Sequence, residues 1–292
     1  MTDGIINVYK EKGYTSHDVV ARMRGILKMK KIGHTGTLDP EAEGVLPVCL
    51  GKGTKLCDLF TDKDKTYEAV LLLGCSTDTQ DMTGNILSRQ EVSIQEERVR
   101  EVIRGFAGEY MQIPPMYSAL KVNGKKLYEL ARQGREVERQ PRPVHIYEIE
   151  VLKMELPRVH MRITCSKGTY IRTLCHDIGS ELGCGGCMES LLRTRVGRFR
   201  LEESLKLDAI EELVRSGILE NAVTPVDAVF ADYPKITADE SHDRLLHNGN
   251  AVPVQYAGQT VRMYDSFGQF IGLYAAYEDK SGYKPLKMFY SR

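Results

Sequence analysis

The chain has 292 residues, enough to bury a substantial core and to hold more than one structural unit. Its 40 basic and 40 acidic residues cancel. That excludes a general polyanion binder and confines any nucleic-acid contact to local patches.

The N-terminal stretch "MTDGIINVYKEKGYTS" carries no apolar h-region, so no signal peptide is expected. A first helix is predicted in "YTSHDVVARMRGILK", with Thr15 and Asp18 as its start signal and Val19, Val20, Met23, Ile26 and Leu27 on one face. "GVLPVCLGKGTK" and "KTYEAVLLLGCSTD" read as strands. In the second, Tyr67, Ala69, Leu71 and Leu73 share one face and Val70 and Leu72 the other, so both faces are expected to be covered. The apolar run within it is far too short to span a bilayer. Residues 95–107 read as a helix carrying Val99, Val102, Ile103 and Phe106. "RVHMRITCSKGTY" alternates at Val159, Met161, Ile163 and Cys165 as a strand does. A helix follows from about Tyr170 to Leu182, stopped by Gly183.

Two segments depart from this core pattern. Residues 113–147 begin and end with prolines and carry Lys121, Lys125, Lys126, Arg132, Arg135, Arg139 and Arg142. They read either as a solvated helix with basic flanks or as a basic arm laid against phosphates. Beyond about Pro234, one short helix and then short strands broken by glycines suggest a small separate β-barrel. The expected division is 1–232 and 233–292.

Asp39 stands out in "KKIGHTGTLDPEAEGVLPVCLGKGTK". With Pro40 after it, it reads as the N-cap of a short helix. Alternatively it is a carboxylate held extended by Pro40, behind a turn made by Gly33 and Gly36 and decorated by His34, Thr35 and Thr37. A carboxylate so held suits nucleophilic or acid–base work. "LGKGTK" fails the Walker spacing, since Gly53 follows Lys52 and Leu46 stands where a glycine is needed. Asp39, Glu41 and Glu43 lie too close in sequence to face one another across a sugar. Arg172 falls in the first turn of its helix, where a cation opposes the dipole, so an anion beside it is expected. If that anion is Asp39, the pair keeps the carboxylate ionised; otherwise Arg172 snorkels over the helix end. Tyr67, Tyr170 and Leu192 read as packing residues on their own segments. Arg193, Arg195, Arg198 and Arg200 read as a second, solvated basic patch. The seven cysteines are scattered and odd in number, as in a reducing cytosol. Cys184 and Cys187 have CxxC spacing but no second pair, so two small buried thiols among turn glycines are expected rather than a metal site.

Taken in order, "GHTGTLDPEAEG", "KTYEA", "CSTDTQDMTG", "PPMYSALKVNGKKLYELARQG", "KGTYIRTLCHDIG" and "LLRTRVGRF" resemble one family. It is the TruB-type family of bacterial tRNA pseudouridine synthases, which act on uridine 55 in the T loop. The resemblance runs from about Ile6 to the end. It implies an α+β pseudouridine synthase fold, with a mixed, mostly antiparallel sheet flanked by helices, and a PUA-like barrel in the tail. It implies an isomerase that flips its uridine out and needs no cofactor or metal. By resemblance Asp39 is the nucleophile, Arg172 its partner and Tyr67 the ring stacked on the uracil. Tyr170 and Leu192 close the pocket, and His34 fills the space the nucleotide leaves. Lys121, Lys125, Lys126 and Arg132 belong to an RNA-clamping arm, and the tail holds the acceptor end of tRNA. A cytoplasmic monomer is implied. One departure is that the family's Lys-Pro near the start is here Lys10-Glu11, which puts local rigidity in question.

Overall fold

The computed structural model describes residues 3–122 and 124–290. Strand β1 (Gly4–Lys10) leads into helix α1 (Ser16–Leu27). The expected start signal closes as a capping box: Thr15 Oγ1 accepts from the Asp18 N–H, and the Asp18 carboxylate accepts from the Thr15 N–H. β2 (Ile32–His34) and β3 (Glu43–Leu50) flank the Asp39 loop. β3 stops earlier than the sequence suggests, because Gly51 takes φ +55° and opens a 3-10 turn through Leu56. A short α2 (Cys57–Thr61) then leads to β4 (Lys65–Leu73), β5 (Cys75–Thr77), β6 (Ile86–Arg89), α3 (Glu96–Gly105) and β7 (Gly108–Gln112). The two-residue strands β8 (Lys121–Val122) and β9 (Lys125–Lys126) and α4 (Leu127–Ala131) form the arm. β10 (Arg142–Glu155), β11 (Arg158–Cys165), α5 (Ile171–Glu181), β12 (Gly186–Val196), β13 (Phe199–Arg200), α6 (Leu207–Arg215) and β14 (Val223–Pro225) complete the main body.

The main sheet runs β14-β1-β3-β12-β4-β11-β10-β7, with β2 added to β3 and β13 to β12. Its pairs are antiparallel except β12 with β3, so the expected mixed, mostly antiparallel α+β sheet is present. One face of β1 and β3, carrying Ile6, Val8, Leu46 and Val48, packs on Val19, Val20 and Met23 of α1 and Ile210 of α6. The other face, through Ile5, Val45 and Cys49, packs with Phe60, Phe199 and Phe230. β4, β11 and β12 share a core with Val99, Val102 and Ile103 of α3 and Leu174 and Ile178 of α5. In β4 only the Tyr67 face is fully covered; Val70 and Leu72 are half-buried, against the expectation of two covered faces.

Three other expectations need correction. The arm ends sooner than 147, because Arg142–Ile146 pair with β7 as part of the main sheet. Among the described residues its only helix is the five-residue α4. The tail holds β15 (Lys235–Thr237), α7 (Glu240–His247), β16 (Thr260–Tyr264), β17 (Phe270–Ala276) and β18 (Tyr283–Met288) as one open sheet, β15-β16-β17-β18. No closed barrel forms among the described residues. This sheet has its own cluster of Val261, Met263, Ile271, Tyr274 and Tyr283, while Leu273 and Phe289 pack with Ile5 and Phe230. No helix among the described residues is long and apolar enough to cross a membrane.

Candidate active site

The loop between β2 and β3 carries Asp39. Instead of starting a helix it makes a turn, with the Ala42 N–H donating to Asp39 O at 3.1 Å. Gly36 has φ +154°, but Gly33 lies within β2. The loop's carbonyls are gathered by buried donors. Lys10 Nζ donates to Pro40 O at 3.0 Å and Ala42 O at 2.5 Å. Arg193 donates to Gly36 O at 3.3 Å, Thr37 O at 3.4 Å and Val45 O at 2.7 Å. Ser16 Oγ accepts from the Leu38 N–H at 2.9 Å. Lys10 and Arg193 are both buried, so the expectation of a solvated Arg193 is wrong. Buried cations need partners, and here backbone carbonyls serve, fixing the loop. β3 must run close beside Arg193: a Cβ on Gly44, which has φ +105°, would lie 2.3 Å from Arg193 O.

Arg172, in the first turn of α5, meets Asp39 as a fork. Its Nε lies 2.9 Å from Oδ2 and its Nη2 donates to Oδ1 at 3.3 Å. The same guanidinium donates to Thr79 O at 3.1 Å and Tyr117 O at 2.9 Å, and its Nε lies 3.6 Å from Asp81 Oδ2. The anion expected beside Arg172 is therefore two carboxylates. Asp81 is itself fixed by the Thr79 hydroxyl and the Thr83 N–H. The Arg172 side chain is 6% exposed and that of Asp39 38%, so the guanidinium lies at the floor and the carboxylate at the opening. The Asp39 carboxyl is held above its ordinary range. Burial is the largest cause, Arg172 opposes it and Asp81 adds to it. The pair forms as expected, but its net effect is not the extra ionisation the sequence suggests.

Tyr67 in β4 faces Arg193 across the β4–β12 register and Ile163 across the β4–β11 register. Burial pushes its phenol up to about 12, with Arg193 pulling the other way, so at neutral pH it keeps its proton. Tyr170 precedes α5, with Gln112 bracketing its backbone: the Tyr170 N–H donates to Oε1 at 2.8 Å, and its carbonyl accepts from Nε2 at 3.0 Å. Burial is the main cause that raises the Tyr170 phenol as well, with the charge of Asp39 adding to both. His34 ends β2 with Nδ1 accepting from the Gly36 N–H at 3.3 Å and its ring edge-on to His17. Burial, then His17 and Arg193, lower it to about 4, so it is a neutral, flat ring.

Leu192 does not join this group. It pairs with Glu68, whereas Leu191 pairs with Ala69 and Arg193 with Tyr67. Directly paired residues share a face, and successive residues alternate. Leu192 is therefore on the far side of the sheet, and Leu191, in one cluster with Leu38, Ala42 and Tyr67, is on the near side. In the arm, Lys121 and Lys125 are exposed, and across β8 and β9 Lys121 pairs with Lys126 and Val122 with Lys125. Lys126 lies 5.3 Å and Arg132 5.4 Å from the Tyr128 ring centre. The arm reaches the floor of the site through Tyr117 O.

Sequence reading missed Lys10, Asp81, Gln112, Leu191 and the buried role of Arg193. A signal existed for Lys10: it follows Ile6 and Val8 on the buried face of a period-2 strand.

The description "TruB family pseudouridylate synthase (N terminal domain)" matches residues 24–171, and "tRNA pseudouridylate synthase B C-terminal domain" matches 172–231. The chain belongs to the TruB family of pseudouridylate synthases. The junction of the two matches falls between Ile171 and Arg172, so the Asp39–Arg172 pair joins one element from each. The tRNA pseudouridine synthase B of Lachnoclostridium phytofermentans is 55% identical over 98% of this chain and 99% of that protein. That of Clostridium acetobutylicum is 46% identical over 98% and 99%. Among solved structures, an H/ACA RNP bound to a substrate RNA containing 2'-deoxyuridine matches with TM-score 0.72 and 27% identity, covering 99% of this chain and 86% of that one. A Cbf5-Nop10-Gar1 complex matches with TM-score 0.73 and 30% identity, covering 99% and 85%.

Proposed function

We propose that this site isomerises uridine 55 in the T loop of tRNA to pseudouridine, with Asp39 as nucleophile. The chain is a family isomerase, and its bacterial relatives carry the name tRNA pseudouridine synthase B. The reaction breaks N1–C1′, turns the uracil and forms C5–C1′; the proton on C5 leaves to solvent and N1 takes one up. No atom is gained. The observation that carries the site assignment is the Asp39–Arg172 fork of 2.9 and 3.3 Å, a buried guanidinium under a part-exposed carboxylate, on a loop whose Leu38 and Ala42 cluster with Tyr67.

A stacked uridine offers neither C1′ nor its ring faces, so it must leave the stack at a cost of a few kcal/mol. Stacking on an aromatic ring returns roughly 1–3 kcal/mol, which suits Tyr67, while neutral His34 takes up the vacated space. Tyr170 and Leu191 line the pocket. Leu191 takes here the place that resemblance gave to Leu192, because register puts it on the Tyr67 side. Arg172 aims the carboxylate, and docking RNA over the 38%-exposed Asp39 side chain dries the pair and strengthens it. The arm, with Lys121, Lys125, Lys126 and Arg132, closes over the T loop, while residues 233–292 act as a separate RNA-holding unit at the acceptor end. We place the enzyme in the cytoplasm as a monomer; its seven free thiols suit a reducing compartment.

The test is unmodified tRNA carrying tritium at uridine C5. The enzyme releases the label and Asp39→Asn does not, although Asp39→Asn still binds tRNA. Release by Asp39→Asn, or none by the native chain, overturns the proposal.

A further inference from the structure

Away from the Asp39 loop, the sequence places an unbalanced group of cations at one end of β2 and β3. A recess of about 500 Å³ is lined by Lys28, Lys30, Lys31 and Lys52, with Asp3 the only acid in its wall among the described residues. Lys55 and Lys287 stand close by, since the charges of Lys31, Lys52 and Lys287 all lower Lys55. In a chain with no net charge, four lysines around one carboxylate, with two more close by, form a local positive field rather than a general one.

The group is held by backbone. Lys28 ends α1 in the left-handed region at φ 48°. Arg24 donates to Lys30 O at 3.1 Å and Ile32 O at 3.2 Å, and the Gly51 N–H donates to Lys31 O at 2.8 Å. The Lys52 N–H donates to Asp3 Oδ1 at 2.7 Å, whereas its Nζ lies 4.0 Å from Asp3 Oδ2. Asp3 thus serves mainly as a backbone cap and leaves the ammonium groups largely unneutralised. Lys55 Nζ donates to Met288 O at 2.8 Å, and Lys52 Nζ lies over the Tyr290 ring, so the patch continues onto the tail. β3 has 8 residues; at about 3.3 Å per residue its ends are roughly 25 Å apart. The lysines lie at the Leu50 end and the Asp39 loop at the Glu43 end.

We infer that this lysine recess binds backbone phosphates of the substrate tRNA outside the T-loop hairpin, well away from the flipped nucleotide. The inference rests on the tRNA reading above. The chemistry fits: compact point charges on flexible stems suit phosphate contacts and carry no sequence information. A rigid turn presenting several of them fixes how the RNA lies across the protein.

The experiment compares the native chain with K30Q/K31Q/K52Q, all outside the catalytic loop, and with K30R/K31R/K52R as the charge-preserving control. Binding is measured against salt for whole tRNA and for an isolated T-arm hairpin. Each lost phosphate contact removes about 0.7–0.9 from the log–log salt slope. For whole tRNA the glutamine variant is expected to lose about 2 from that slope, with KM raised on the order of tenfold or more, kcat unchanged, and the arginine variant near native. For the hairpin all three proteins should agree. An unchanged whole-tRNA slope overturns the inference, and so does an equal loss on the hairpin. A native chain that binds tRNA but releases no C5 tritium sinks the catalytic reading alone and leaves this binding comparison in force.

Discussion

Arg172→Lys keeps the charge at the floor of the site and removes the fork. The native guanidinium serves Asp39 through two nitrogens, Thr79 O at 3.1 Å, Tyr117 O at 2.9 Å and Asp81 at 3.6 Å. One ammonium cannot reach all of these at once. Asp39 is partly open to water and can be rehydrated, so its loss is not counted in stability. Thr79 O and Tyr117 O lie around a side chain only 6% exposed, and a buried acceptor left without its donor costs about 1–3 kcal/mol. The expected destabilisation is about 2–4 kcal/mol, read as a lower urea midpoint at unchanged m-value. A carboxylate displaced by about 1 Å loses on the order of 10²-fold in rate, so single-turnover tritium release should fall by at least that much while tRNA binding stays within a few-fold. Stability within 0.5 kcal/mol of native (roughly the scatter of surface substitutions) together with a near-native rate would refute the assignment of Arg172 as the fork that aims Asp39.

Asp39→Asn should abolish turnover without lowering Tm. Its carboxyl is raised in the folded chain by burial, so the charged form is disfavoured by folding, and the chain gains stability as pH falls through the raised pKa. A clear drop in Tm at pH 7.5 would reverse that sign. The acid limb of kcat/KM, which reports the free enzyme, should correspondingly lie above the ordinary carboxylate range. Leu191→Ala should cost about 2–4 kcal/mol and slow turnover, whereas Leu192→Ala should do little to either; the opposite ranking would mean the β12 register is wrong. Lys10 is lowered to about 8, so between about pH 8 and 10.5 the unfolded chain holds the extra proton and stability rises with pH. The urea-derived stability of the native chain minus that of Lys10→Met should therefore grow across that window, and a flat difference would count against a buried, depressed lysine. Tyr67→Phe should keep tRNA affinity, and Tyr67→Leu should lose both affinity and rate; equal kinetics for the two would remove the stacking role.

Local physics was legible in the sequence. The capping box of α1, the alternation of β11 and the Gly183 stop of α5 depend on residues a few positions apart, and each formed where the pattern placed it. The motif order also identified the family, and with it Asp39 and Arg172, before any distance was known. What the sequence left open were facts of long-range packing. Asp39 and Arg172 are 133 positions apart, and only the sheet brings them within a hydrogen bond. Arg193 read as one member of a basic run, yet β12 pairs with β3 on one side and β4 on the other, so the sheet buries it and turns it toward the loop carbonyls. The face on which Leu191 or Leu192 lies was decided by cross-strand pairing, because a one-residue change of register exchanges the two sides of a strand. The tail's strands were recognisable one by one, but whether they close is a property of the whole sheet, which is open among the described residues. The raised carboxyl of Asp39 follows the same rule: sequence predicted its partner, but the degree of burial that outweighs the partner's attraction exists only in the folded chain.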